Sequence, residues 1–92
     1  MEDIHVTIGG KRWRLAFVSR LPDGADGDCD GPQVPNKTMR IKRSLADKKK
    51  LEVILHESLH AADWHRSEEW VHETAEDLTR ILWRLGWRPT DG

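Results

Sequence analysis

Ile4, Val6 and Ile8 alternate with His5 and Thr7, the two-residue period of a strand with one buried face. Gly9-Gly10 follows, a pair that accepts positive φ at both central positions of a tight turn. Trp13, Leu15 and Phe17 then alternate with Arg12, Arg14 and Ala16, so a β-hairpin is expected over residues 1–18. Residues 19–36 break the pattern. Pro22, Gly24, Gly27, Gly31, Pro32 and Pro35, together with four aspartates, predict a long surface loop. Alternation returns over residues 37–42, with Met39 and Ile41 inward and Arg40 and Lys42 outward, which predicts a third, short strand. The period then lengthens. Leu51, Ile54, Leu55, Ser58, Leu59 and Ala62 recur at helical spacing and predict a helix over 45–63, opened by Ser44 and Asp47 as a capping-box variant. After a tight connection at Trp64–Ser67, a second helix is expected over 68–85, its core face made of Val71, Thr74, Ala75, Leu78, Leu82 and Leu85. Gly86 is placed to end that helix and Pro89 prevents its resumption. So short a connection makes the two helices an antiparallel pair. The expected architecture is α+β: a small antiparallel three-stranded sheet packed on an antiparallel two-helix hairpin, in one domain over residues 1–92.

A chain of 92 residues has a thin core for its surface, and a bound metal ion would help to staple it. Cys29 is the only cysteine, which rules out an internal disulfide. The start, Met-Glu-Asp, has neither a basic segment nor an apolar run, and no stretch reaches the length of a membrane span. The expected compartment is therefore the cytoplasm, with no membrane partner. A net charge of −1 gives no global attraction to nucleic acid. The charge is uneven, however: Lys37, Arg40, Lys42, Arg43, Lys48, Lys49 and Lys50 follow Asp23, Asp26, Asp28 and Asp30. The lysine run reads first as a solvated helix start, and a nucleic-acid patch over Lys37–Lys50 is the weaker alternative. The loop aspartates do not follow EF-hand spacing and no glutamate closes them, so turn chemistry accounts for them better than calcium. A loop this long in so small a domain is a candidate wall for a cleft.

The chemistry centres on His56-Glu57-Ser58-Leu59-His60. Two histidines four residues apart on a helix lie one above the other, so both imidazoles can reach one cation. Glu57 points about 100° round from His56, near that cation but outside its ligand positions, where a carboxylate can hold a water and take its proton. A histidine on the edge of an apolar face is commonly a satisfied core residue, and the rest of a site must be present to outweigh that reading. A catalytic zinc keeps three protein ligands and an open position. The start of the second helix offers Glu69, His72, Glu73 and Glu76. Glu73 is the expected third ligand because its stripe borders the buried seam, and Asp77, one turn on, would orient a ligand histidine. The bland alternative is an acidic, solvated helix whose carboxylates suit its dipole. Cys29 is expected to be a partly buried, inert thiol; the sharper reading makes it a thiolate that completes or blocks the metal site.

His56-Glu57-Ser58-Leu59-His60 followed by Glu73-Thr74-Ala75-Glu76-Asp77 resembles the gluzincin pattern of zinc metallopeptidases, H-E-x-x-H with a downstream E-x-x-x-D. The stretch from Met39 to Trp87 is also similar to short HExxH proteins of bacteriophages grouped with the metallopeptidases. The resemblance covers roughly the C-terminal half of the chain and implies a minimal zincin-like fold. It also implies a Zn²⁺ cofactor, ligands at His56, His60 and Glu73, Glu57 as general base and Asp77 as support for a histidine. The implied activity is hydrolysis of peptide bonds by a metal-activated water, acting on a peptide or protein substrate, in a host cytoplasm if phage-encoded. Two departures stand out. The gap between His60 and Glu73 is shorter than in large gluzincins, which leaves room for another acidic ligand. The chain has no tyrosine to stabilise an oxyanion, a role left to His65, His72 or an arginine. The reading from a different class is a non-catalytic, zinc-stabilised binding module, with Cys29 or His65 closing the site as a fourth ligand. A further expectation is that the strand over 37–42 offers an edge to an extended substrate, with Arg40 and Lys42 favouring acidic residues.

Overall fold

The computed structural model describes residues 3–89, so the first two positions of the expected hairpin and the last three of the chain lie outside the described residues. Strand β1 (Ile4–Ile8) and strand β2 (Lys11–Val18) pair antiparallel, with Val6 opposite Trp13. Gly9 and Gly10 join them at φ 59° and 77°, the left-handed values that a type I′ turn requires. A short 3₁₀ turn at Pro22–Gly24 leads into β3 (Gly27–Cys29), and β4 (Thr38–Lys42) follows. Two helices complete the chain, α1 (Asp47–Ala62) and α2 (Glu68–Arg84). The class is α+β, and none of the described helices is long and apolar enough to cross a membrane.

The sheet differs from the expected one in both strand number and direction. It has four strands in the order β1-β2-β4-β3, with β2 and β4 parallel and β3 and β4 antiparallel. The segment expected to be wholly loop supplies β3. Its Gly-Asp-Cys sequence has neither apolar alternation nor β-favouring side chains, so periodicity could not reveal it. Tertiary bonds hold it instead. Asp30 N–H donates to the Thr38 carbonyl at 3.0 Å, and Lys42 N–H to the Asp26 carbonyl at 2.8 Å. Arg40 reaches across to both Asp28 (3.0 Å) and Asp30 (2.9 Å). Two of the four loop aspartates are thus spent on an arginine. Because the chain runs out to the far edge before turning back, β4 enters beside β2 in the same direction. As a result β4 is paired on both sides, and the sheet edge on that side is β3, contrary to the expectation that β4 would be open.

Side chains of one sheet face form the core: Trp13, Leu15, Phe17, Met39 and Ile41, closed by Val53 from α1. The register explains the layer, since Leu15 lies beside Met39 and Phe17 beside Ile41. Helix α1 begins at Ala46 as N-cap with no side-chain cap, so Ser44 does not open it. Its most buried positions are Lys50, Val53 and Glu57 rather than the leucine-rich stripe. Taking 100° per residue, the centre of that buried stripe lies about 140° from the centre of the expected apolar face. Leu51, Ile54, Leu55, Ser58 and Leu59 are only half-buried and Ala62 is exposed. In α2 the buried stripe is Val71, Ala75 and Thr79, and the Thr79 hydroxyl donates to the Ala75 carbonyl at 2.7 Å. Leu85, expected in the core, is 70% exposed. Gly86, at φ 91°, stops the helix: its N–H bonds the Trp83 carbonyl while Trp87 N–H bonds that of Leu82, the paired arrangement of a Schellman end.

Candidate metal centre

The two helices meet the sheet edge at a cavity of about 510 Å³ lined by Gly27, Cys29, His56, Glu57, His60, Trp64 and Glu68. His56 and His60 stand on the same side of α1, their Nε2 atoms 3.2 Å apart. A tight connection folds the chain back: Asp63 N–H caps Leu59, Arg66 N–H donates to the Asp63 carbonyl, and the Arg66 side chain bonds the Asp63 carboxylate. Ser67 then caps α2, its hydroxyl accepting from Trp70 N–H at 3.1 Å. That cap makes Glu68 the first residue of α2 and turns it towards the histidines. Its Oε1 lies 2.8 Å from His56 Nε2 and its Oε2 2.9 Å from His60 Nε2. Among the described residues this is the one group of His, Cys, Asp or Glu side chains whose donor atoms converge closely enough to hold a cation.

The carboxylate that the structure brings to the two histidines is Glu68, and the expected Glu73 stands outside the cluster. The angle decides it. At 100° per residue, Glu68 lies about 20° from the centre of the Val71–Ala75–Thr79 stripe, whereas Glu73 lies about 160° away, facing solvent. Asp77 is likewise exposed and is engaged by Arg80, one turn along the same helix, so it orients no histidine of the cluster. The other candidates stand outside the group. His65 is exposed in the interhelical connection. The His72 ring centroid is 6.3 Å from that of His56, and its Nε2 is 3.4 Å from Glu76 Oε1. Glu69 is exposed. Cys29 lines the cavity, but its Sγ is not part of the convergent group; the thiol donates to the Asp30 carbonyl at 3.4 Å. Burial, reinforced by Glu57, Asp30 and Asp28, pushes that thiol up to about 12, so it stays protonated at neutral pH.

Two imidazoles and a carboxylate are donor types that zinc accepts. Ligand atoms at about 2.0–2.2 Å from a tetrahedral Zn²⁺ lie about 3.3–3.6 Å from one another. The His56–His60 separation of 3.2 Å is close to that edge, whereas the 2.8 and 2.9 Å contacts, made by the two different Glu68 oxygens, are hydrogen-bond lengths shorter than it. Burial lowers the pKa of His56, with His60 and His72 adding to the effect and Glu68 opposing it. A neutral imidazole is the form a metal takes. Glu57, only 6% exposed, occupies the middle of the buried face of α1, beside the two histidines. Burial raises its carboxyl to about 7, helped by the nearby charges of Asp28 and Glu68. A glutamate with that value is poised to exchange a proton near neutrality. No protein-family model, curated protein or solved structure matches the chain.

Proposed function

We propose that this chain is a minimal zinc-dependent peptidase in which His56, His60 and Glu68 hold the metal and Glu57 is the general base. The observation that carries the reading is the convergence of three donor atoms, with a buried, proton-exchanging carboxylate in the same cavity. A Zn²⁺ held by these side chains would supply Lewis acidity and bring the pKa of a water down to about 7. Glu57 accepts the proton of the attacking water and delivers it to the amine nitrogen of the broken peptide bond. His56 and His60 share one helix, and Glu68 opens the next directly after the Ser67 cap, so all three donors come from helices. The β3 edge borders the cavity through Gly27 and Cys29, so an extended peptide added beside β3 would run past Glu57. Trp64, 40% exposed and with its ring centroid 6.3 Å from that of His60, walls the other side. Arg40 no longer argues for acidic substrates, because Asp28 and Asp30 engage it.

The second reading is a zinc-stabilised binding module without catalysis, and the 71% exposure of the Glu68 side chain favours it, since an exposed ligand is weakly preorganised. Coordination separates the two. X-ray absorption of the zinc-loaded protein should show three protein ligands and a light oxygen donor; a sulfur at about 2.3 Å would bring in Cys29 and a closed site. Hydrolysis of a mixed peptide library by the zinc-loaded chain, lost in Glu57→Gln with zinc content unchanged, is the expected result. Equal hydrolysis by Glu57→Gln would remove the proposed base.

A further inference from the structure

A second concavity, of about 730 Å³, shares no lining residue with the metal centre and is cationic. Lys11, Arg12 and Arg14 come to it from the β1–β2 hairpin, and Asn36 and Lys37 from the segment before β4. Parallel pairing creates it: Arg14 N–H donates to the Lys37 carbonyl at 3.0 Å, which draws together cations 23 positions apart in sequence. Among the described residues no carboxylate lines the cleft. Asp3 pairs with Arg14, but Lys11, Arg12 and Lys37 have no acidic partner among the described residues, and Lys37 Nζ lies 5.8 Å from the Trp13 ring centroid. Trp13 lines the cleft while 1% exposed, and its Nε1–H is the buried side-chain donor left without an acceptor among the described residues. A buried donor left unpaired is destabilising, so the fold holds a polar group that the described residues do not satisfy. The basic run expected from sequence is dispersed, by contrast: Arg40 is spent on Asp28 and Asp30, and Lys49 on Glu52.

We propose that this cleft binds the phosphate backbone of a single-stranded nucleic acid. Three cations without acidic partners, an amide donor and a concavity wide enough for a few linked phosphates match a strand better than the full width of a duplex. The exposed His5 imidazole also lines the cleft and offers a ring face on which any base can stack, so binding should be indifferent to base sequence.

The test is fluorescence anisotropy of a labelled single-stranded 20-mer with the full chain across a KCl series. Three phosphate contacts give a slope of log K against log salt of about −2. Arg12→Gln with Lys37→Gln should bring the slope to about −0.7, whereas Lys48→Gln with Lys49→Gln, in the first turn of α1, should leave it unchanged. Arg12, Lys48 and Lys49 are exposed and Lys37 is partly exposed, so circular dichroism of both variants should match that of wild type. Absence of salt-dependent binding overturns the proposal. So does a slope that falls only in the lysine pair of α1. Competition by inorganic phosphate as strong as by the same phosphate concentration in oligonucleotide also overturns it, since that marks a single-oxyanion site. Tighter binding of the matching duplex would assign the cleft to double-stranded partners and refute the strand.

Discussion

Gly27 gives the sharpest test of how the sheet edge meets the proposed base. A Cβ added there would stand 2.5 Å from Val53 Cγ1 and 3.1 Å from both the Arg40 carbonyl oxygen and Glu57 Oε2. Real side chains do not tolerate the first distance, and the other two require the neighbours to give by a few tenths of an ångström. Gly27→Ala is therefore an overpacking substitution between β3 and α1, expected to cost about 1–3 kcal/mol. For a domain of this size that lowers the melting temperature by roughly 4–20 °C. Val53→Ala removes the worst overlap, so the pair should be strongly non-additive. A double-mutant cycle by chemical denaturation of the metal-free protein should return a coupling of about 1–2 kcal/mol in favour of the double variant. The Glu57 contact survives in the double variant, because it does not depend on Val53. If the chain is a peptidase, the double variant should regain stability yet remain slower than wild type, with zinc affinity intact. Additive single and double variants, or a Gly27→Ala protein as stable as wild type, would mean that β3 does not press on α1 at Glu57.

The remaining tests address the cluster and its protons. Glu68→Ala should lower zinc affinity more than about 100-fold, beyond the loss that follows from removing an outer partner of a ligand. Glu73→Ala and Asp77→Asn should leave affinity within twofold in the same competition assay, and a large loss in either would restore the ligand set read from the motif. Ser67→Ala removes the cap that sets Glu68 in place and should cost about 1 kcal/mol together with a measurable loss of zinc affinity; unchanged affinity would show that the cap does not position the carboxylate. Metal-free stability should depend on pH through Glu57. Its carboxyl is raised from 4.5 to about 7, so the folded state keeps a proton that the unfolded chain has released. Stability is full below about pH 4.5, falls as pH rises towards 7, and levels off above it, a loss of about 3 kcal/mol. Glu57→Gln should abolish that fall and be the more stable protein at pH 8; a parallel pH profile in the two proteins would exclude Glu57 as its origin.

How much of this was legible in the sequence follows from where the information resides. The β1–β2 hairpin and the two helices announce themselves through local period and through Gly9-Gly10 and Gly86, whose positive φ values only glycine adopts without strain. Strand β3 does not, since three residues reading Gly-Asp-Cys owe their conformation to Thr38, Arg40 and Lys42 across the sheet. The parallel β2–β4 pairing follows from that hidden strand and was equally unreadable. Within the site, the spacing of His56 and His60 is enough to stack their rings on one side of a helix. The third donor is a different problem. Its identity depends on the rotation of α2 about its own axis, and the apolar residues of that helix are spread so widely that Leu85 and Thr79 exchange places between surface and core. At 100° per residue the face expected from Val71, Thr74, Ala75, Leu78, Leu82 and Leu85 is centred about 70° from Glu68 and about 150° from Glu73, and Thr79 in place of Leu85 brings the centre to about 50° from Glu68, so Glu73 followed from motif spacing and not from the apolar face. The available clue was the Ser67 cap, which fixes Glu68 as the first helical residue at the point where the chain returns past His60. An acidic residue one position after a helix cap, directly following a short reversal from a histidine pair, is brought beside those histidines by the reversal itself, a placement that family spacing does not encode.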